Sequence, residues 1–241
     1  MGKNLISQRR GRGTTTYRSP SFRFKADARH KSYLTEDSGR TVTGTITELT
    51  HCAGHTSPLM QIEYEDSEIV QTIAPEGVRV GDKVAVGPEA EIKSGNVLEL
   101  KDIPEGTLIY NIESHVGDGG KFVRSGGSFA RLLSKTKDNA MIMLPSKKQK
   151  SVNLKCRASI GICAAGGRLE KPLLKAGNAY HKKRARNKLY PRTSGVAMNA
   201  VDHPFGGSSS AHKGRPTTVP KRASPGRKVG LLRARRTGRQ R

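Results

Sequence analysis

The charge of this chain changes sign along its length, and that partition constrains its organisation more than any single motif. Residues 1–34 hold nine Lys/Arg against one acid, 35–115 five against fifteen, 116–180 thirteen against three, and 181–241 seventeen against one. Net charges of +8, −10, +10 and +16 follow. A polyanion attracts three of these segments and repels the second, so a polarised molecule is predicted whose ends and third segment bind phosphate. Charge runs are usually solvated faces, but a cation at roughly one residue in three or four through a whole terminal segment exceeds ordinary surface composition.

The total, 44 Lys+Arg against 20 Asp+Glu for a net +24, therefore speaks of nucleic-acid partners. Only 34% of the 241 residues are hydrophobic and 5% aromatic, which suits a modest core with long solvated or RNA-bound extensions. No run approaches the ~18 to 20 apolar residues of a membrane span, and the opening residues lack the apolar stretch of a secretory leader. An intracellular, soluble chain without a membrane partner is expected. Three irregularly spaced cysteines provide no disulfide framework.

The pattern divides the chain into a basic N-terminal arm (1–36), an acidic barrel (37–115), a second barrel with a basic surface (116–194) and a basic Gly/Pro-rich tail (195–241). In the arm, Arg9, Arg10, Arg12, Arg18, Arg23 and Lys25 are phosphate ligands by charge. Tyr17, Phe22, Phe24 and Tyr33 lie between cations, where a ring either stacks on an exposed base or anchors the arm to the barrel. Strand-like runs follow at 41–49, 59–64, 69–73, 83–86 and 96–100, broken by turns such as Pro75-Glu76-Gly77. Five short strands in some seventy residues suggest an OB-fold or another small β-barrel.

Gly117-Asp118-Gly119-Gly120 and Ser125-Gly126-Gly127 punctuate the next unit, and residues 140–144 and 152–154 read as a hairpin with a basic tip at Lys147, Lys148 and Lys150. An SH3-like barrel accommodates them, with Lys121, Arg124 and Arg157 on its surface. Lys182-Lys183-Arg184-Ala185-Arg186 suggests a short helix. The free chain is expected to fold only across about 37–167, its ends ordering on RNA.

Enzyme chemistry finds little support. Asp202 and His203 near Ser208, Ser209 and Ser210 invite a catalytic triad, but neighbouring residues rarely aim side chains at each other and nothing supplies an oxyanion hole. His51, Cys52 and His55, and Cys156 with Cys163, lack the spacing of a zinc site. Neither a Walker sequence nor a dinucleotide fingerprint occurs. Glycines such as Gly195, Gly206, Gly207, Gly214 and Gly226, set among cations, allow close backbone approach to phosphate or ribose.

The run Gly195-Val196-Ala197-Met198-Asn199-Ala200-Val201-Asp202-His203-Pro204-Phe205-Gly206-Gly207 resembles the signature loop of ribosomal protein two of the large subunit. Matches also fall at residues 8–14, 75–77, 104–106, 117–121, 156–158, 175–178 and 235–239, and Phe205 with the 226–230 run resembles archaeal-type members of that universal family. The resemblance implies a mainly β chain, an OB-fold barrel followed by an SH3-like barrel with long basic non-globular extensions. It implies a structural, non-enzymatic role in binding rRNA, in subunit association, in tRNA binding and in the peptidyl transferase region. Asn199, His203, Gly206 and Gly207 match the loop, and a catalytic role proposed for its histidine is controversial. Ser208-Ser209-Ser210 departs from the glycines usual there.

With Lys175, Lys182, Lys183, Arg184, Arg186, Arg192, Lys213, Arg215, Lys221, Arg222, Arg227, Lys228, Arg235, Arg236 and Arg239, these residues complete the expected rRNA contacts. Expected partners are large-subunit rRNA, other large-subunit proteins and small-subunit rRNA at an intersubunit contact, with no homo-oligomer. No cofactor is expected beyond magnesium or potassium ions shared with rRNA. The alternative is a non-ribosomal basic RNA-binding factor.

Overall fold

The computed structural model describes residues 8, 14, 15, 17–32 and 40–234. The contacts expected of Arg9, Arg10, Arg12, Tyr33, Arg235, Arg236 and Arg239 lie outside the described residues. Two compact units divide the chain: 20–174, and a second formed by the residues up to 19 with those from 175 onward.

The first unit is one ten-stranded sheet. Strands β1 (Val42–Thr50), β2 (Leu59–Tyr64), β3 (Ile69–Ile73), β4 (Lys83–Val86), β5 (Val97–Glu99), β6 (Leu108–Tyr110), β7 (Ala130–Lys135), β8 (Asn139–Met143), β9 (Gln149–Asn153) and β10 (Arg157–Ile160) are ordered β3-β2-β1-β4-β5-β10-β6-β7-β8-β9. In β1 the side chains of Val42 and Ile46 turn inward while Thr45 and Thr47 turn out, the period-2 burial that β-branched residues favour. Gly44 is required there, because a Cβ would stand 2.7 Å from Ile62 Cγ2.

Two cores form because β5 is a shared wall whose successive side chains point to opposite faces. Val97 joins Val42, Ile46, Met60, Ile62, Val84 and Val86, while Leu98 joins Leu100, Ile109, Ile112, Leu132, Ile142 and Ile160. This agrees with an OB-fold barrel followed by an SH3-like barrel. They are not separate beads, since β10 pairs with β5 on one side and β6 on the other. Strands β6, β7 and β10 escape the strand pattern read from sequence; β10 (Arg-Ala-Ser-Ile) is buried at every position and shows no alternation.

Part of the N-terminal arm is built into this unit. Ala28 packs with Cys52, Leu59, Ile73, Tyr110 and Cys163, and Phe24 lies against them. The folded unit therefore begins near residue 20 rather than 37, because residues 24–31 close the gap beside both barrels.

A buried ion pair fastens that closure. Arg157, at 3% exposure, donates from Nε and Nη2 to Glu113 Oε1 (3.1 and 2.8 Å) and from Nη1 to the Lys31 carbonyl (2.6 Å). Glu113 Oε2 accepts the Arg157 backbone N–H (2.9 Å), and its carboxylate also accepts from the amides of Gly117 and Gly119. The expectation that Arg157 contacts rRNA is thereby corrected: its guanidinium is spent on a carboxylate that would otherwise be buried unpaired.

His30 completes the joint, its Nε2 donating to the Asn111 carbonyl at 2.6 Å and its backbone N–H to Gly119 O. Its Nδ1 is buried without a hydrogen-bond partner among the described residues. Burial, with Arg157 beside it, holds the imidazole neutral down to a pKa of about 4, although Glu113 and the Asn111 bond pull the other way. The unfolded chain binds that proton near 6.5. His30 thus contributes stability that is complete above pH 6.5 and is lost as pH falls toward 4, on the order of 3 kcal/mol. Urea unfolding of the full chain is expected to weaken across this window, and more steeply than in His30→Gln; equal slopes would contradict the assignment.

Candidate nucleic-acid interface

The β8–β9 hairpin presents its cations through turn geometry. Lys147 N–H bonds to Leu144 O (2.8 Å) and Leu144 N–H to Lys148 O (2.9 Å), with Lys147 itself left-handed at φ 63°. Lys147 and Lys148 project into solvent. Lys150 sits 4.0 Å from the centroid of the Phe122 ring, which steadies its ammonium next to the exposed Lys121. Arg124 is more committed than expected, with Nη1 on Gly120 O (2.9 Å) and Nη2 on Ala28 O (2.6 Å), so it holds the arm down.

The aromatic residues of the arm divide. Phe24 anchors, whereas Phe22 is 82% exposed with the Arg23 guanidinium 5.3 Å from its ring centroid, a surface on which a base can stack. Tyr17 is half-buried and Arg18 and Lys25 are exposed.

In the second unit, α1 (Ala176–Arg184) begins earlier than the cationic run alone suggests and buries none of its residues. Its last turn carries His181, Lys182, Lys183 and Arg184, where cations complement the carbonyl end of the helix dipole. A nine-residue helix without an apolar face is marginal in water, so its stability must come from what covers it. Lys175 and Arg192 are exposed and Arg186 is half-buried. Lys213, Arg215, Lys221, Arg222, Arg227 and Lys228 are all exposed along a tail whose only pairing among the described residues is the short parallel β11 (Thr218–Val219) with β12 (Leu231–Leu232).

The loop 195–207 closes on itself. The backbone N–H groups of Asp202 and His203 bond to Asn199 O, that of Gly206 to His203 O and that of Gly207 to Met198 O. A Cβ on Gly206 would come within 2.3 Å of Met198 O, and one on Gly195 within 2.3 Å of His203 Cε1. These two glycines, expected to admit RNA, are therefore demanded first by the loop's own packing. Gly207, exposed at φ 92°, and Asn199 remain on the outside. His203 Nδ1 accepts the Phe205 N–H (3.1 Å), so the neutral ring carries its proton on Nε2 and has no free lone pair.

Ser208 and Ser210 hydroxyls accept from the amides of residues 210 and 212, serving local turns rather than His203. Among the described residues no three His, Cys, Asp or Glu side chains gather as metal ligands. Cys52, Cys156 and Cys163 are buried free thiols, and burial pushes the latter two up to about 11. Glu113, His30 and Lys31 were not legible as a cluster, because the contacts that join them, Glu113–Arg157, His30–Asn111 and Lys31–Arg157, span 44, 81 and 126 residues. The one signal was Gly117-Asp118-Gly119-Gly120, whose amides wrap the Glu113 and Asp118 carboxylates.

Neutralising Lys147 and Lys148 together by glutamine is expected to lower the log-log salt slope of RNA binding by about 1.4 to 1.8, near 0.7 to 0.9 per phosphate contact. An unchanged slope in salt-titrated binding would remove the hairpin tip from the interface.

The comparisons with known proteins agree with one another. A family model described as "Ribosomal Proteins L2, C-terminal domain" matches residues 93–225. The chain is similar to the large ribosomal subunit protein uL2 of Halorubrum lacusprofundi, 52% identical over 239 residues covering 99% of this chain and 98% of the relative. It is 51% identical to that of Methanothermobacter thermautotrophicus over the whole of both chains, and 47% identical to that of Haloarcula marismortui over 99% of this chain and 98% of the relative.

Proposed function

The chain belongs to the uL2 family of large-subunit ribosomal proteins, and from that premise we propose that it binds rRNA as a structural constituent of the large subunit through the exposed cations of its arm, hairpin tip, helix and tail. The observation that carries this reading is the separation of exposed charge: Lys147, Lys148, the last turn of α1 and the tail are cationic, with Asp202 the one acid in 181–241, while the first barrel presents Glu63, Glu65, Asp66 and Glu68. Phosphate contacts of this kind fix position and orientation, and the exposed Phe22 ring adds a surface for an unpaired base. The protein works with rRNA and neighbouring ribosomal proteins, and its signature loop lies toward tRNA and the peptidyl transferase region. Small-subunit rRNA is the partner across the intersubunit face.

Its role is structural rather than enzymatic. A general base needs an unprotonated nitrogen free to take a proton, and the one lone pair of the neutral His203 ring, on Nδ1, accepts the Phe205 N–H within the loop. Protonating Nδ1 would break the Phe205 bond. His203 thus positions the loop and donates a hydrogen bond to RNA.

Co-sedimentation with large subunits at moderate salt is expected; a protein left in the soluble fraction would contradict the ribosomal reading. In assembled ribosomes His203→Gln is expected to sustain near-normal peptide-bond formation, with His203→Ala impaired in assembly. A loss of about a hundredfold in the chemical rate with both, in correctly assembled particles, would restore a catalytic role.

A further inference from the structure

Away from the basic surfaces, a cleft of about 360 Å³ opens between residues 26–32 and β3, lined in part by Asp27, Arg29, His30, Glu68, Ile69 and Gln71. Among the described residues β3 is an edge strand. Gln71 turns its carbonyl outward to accept the Arg29 N–H at 3.0 Å, so Ile69, two residues earlier, presents its own N–H and C=O on that same open side. The Ile69 side chain is 58% exposed, an unguarded position for an edge strand.

The rim is acidic. Glu63 pairs with Ile69 across β2–β3, and Asp66 and Glu68 lie in the connecting turn, whereas Glu65 is turned to Thr43 of β1. Against these and Asp27 stand two cations, Lys31 clamped by Asp66 and Glu68, and Arg29 on Asp27 at 3.3 Å. Beneath the cleft floor His30 Nδ1 and Gln71 Oε1 are buried acceptors with no hydrogen-bond partner among the described residues. His30 Nδ1 is an acceptor because Nε2 must carry the proton it gives to Asn111 O. Negative charge and an open strand edge together select a ligand that is cationic and extended.

The geometry points to a docking site on β3 for an extended Lys/Arg-rich polypeptide segment of a neighbouring protein, its backbone adding at Ile69 and a cationic side chain entering between His30 and Glu68. This occupant rests on the proposed function, under which rRNA lies on the basic surfaces and is repelled from this rim.

A benzophenone amino acid placed at Ile69, and separately at Lys147, in the full chain assembled into large subunits tests it. Ile69 is expected to cross-link a peptide of net positive charge, identified by mass spectrometry, while Lys147 cross-links rRNA. Glu63→Lys with Asp27→Lys is expected to reduce the Ile69 product roughly tenfold without altering sedimentation of the particle. Cross-linking of Ile69 to rRNA, to an acidic or neutral segment, to a second copy or to nothing, or a yield indifferent to the two lysines, overturns the inference alone. Failure of Lys147 to reach rRNA overturns the reading beneath it.

Discussion

The carboxylate of Glu113 receives five hydrogen bonds in the interior of the first unit, three of them from Arg157. The remaining two come from amides of the glycine-rich turn that follows it. Such a pair adds little net stability over apolar packing, yet removing one partner strands a buried charge at a cost of about 3 to 5 kcal/mol. Its consequence here is register. Arg157 opens β10, the strand that joins the two barrels, and its third nitrogen holds the Lys31 carbonyl, so one side chain sets the relation of both barrels to the arm.

That internal consumption of charge clarifies which cations remain for RNA. Arg157, Lys31 and much of Arg124 are satisfied inside the unit, whereas Lys147, Lys148 and the cations of α1 and the tail are exposed, some of them against a tyrosine or phenylalanine of their own segment. The surfaces left cationic belong to elements with few buried residues of their own, notably α1, which buries none. Under the proposed function these are the elements that RNA would order by neutralising them.

Much of this was legible in the sequence, and the failures have physical causes. Strands β1 to β4 and the β8–β9 hairpin show because each is half-buried and alternates, or is flanked by turn residues. Strand β10 does not show, since Arg157 and Ser159 are buried beside Ala158 and Ile160 and a fully buried polar strand has no pattern. Strand β7, Ala-Arg-Leu-Leu-Ser-Lys, is made largely of helix-favouring residues that tertiary pairing overrides. Arg157 looked like any other cation, because composition cannot distinguish an arginine that meets phosphate from one that meets a distant glutamate. Gly206 was noticed for the right property, a missing side chain, though the atoms it admits are Met198 O and Asn199 O of its own loop.

The account stands on Glu113 and Arg157 tying arm, glycine turn and β10 into one cooperative joint. Amide hydrogen exchange on the free full-length chain reads that directly. The amides of His30, Gly119 and Arg157 are expected to exchange only through global unfolding, as slowly as Ile160 in β10, while those of α1 exchange orders of magnitude faster. Exchange at His30 and Gly119 as fast as in α1, with Ile160 still protected, would show that the arm opens independently of the barrels and would contradict the joint.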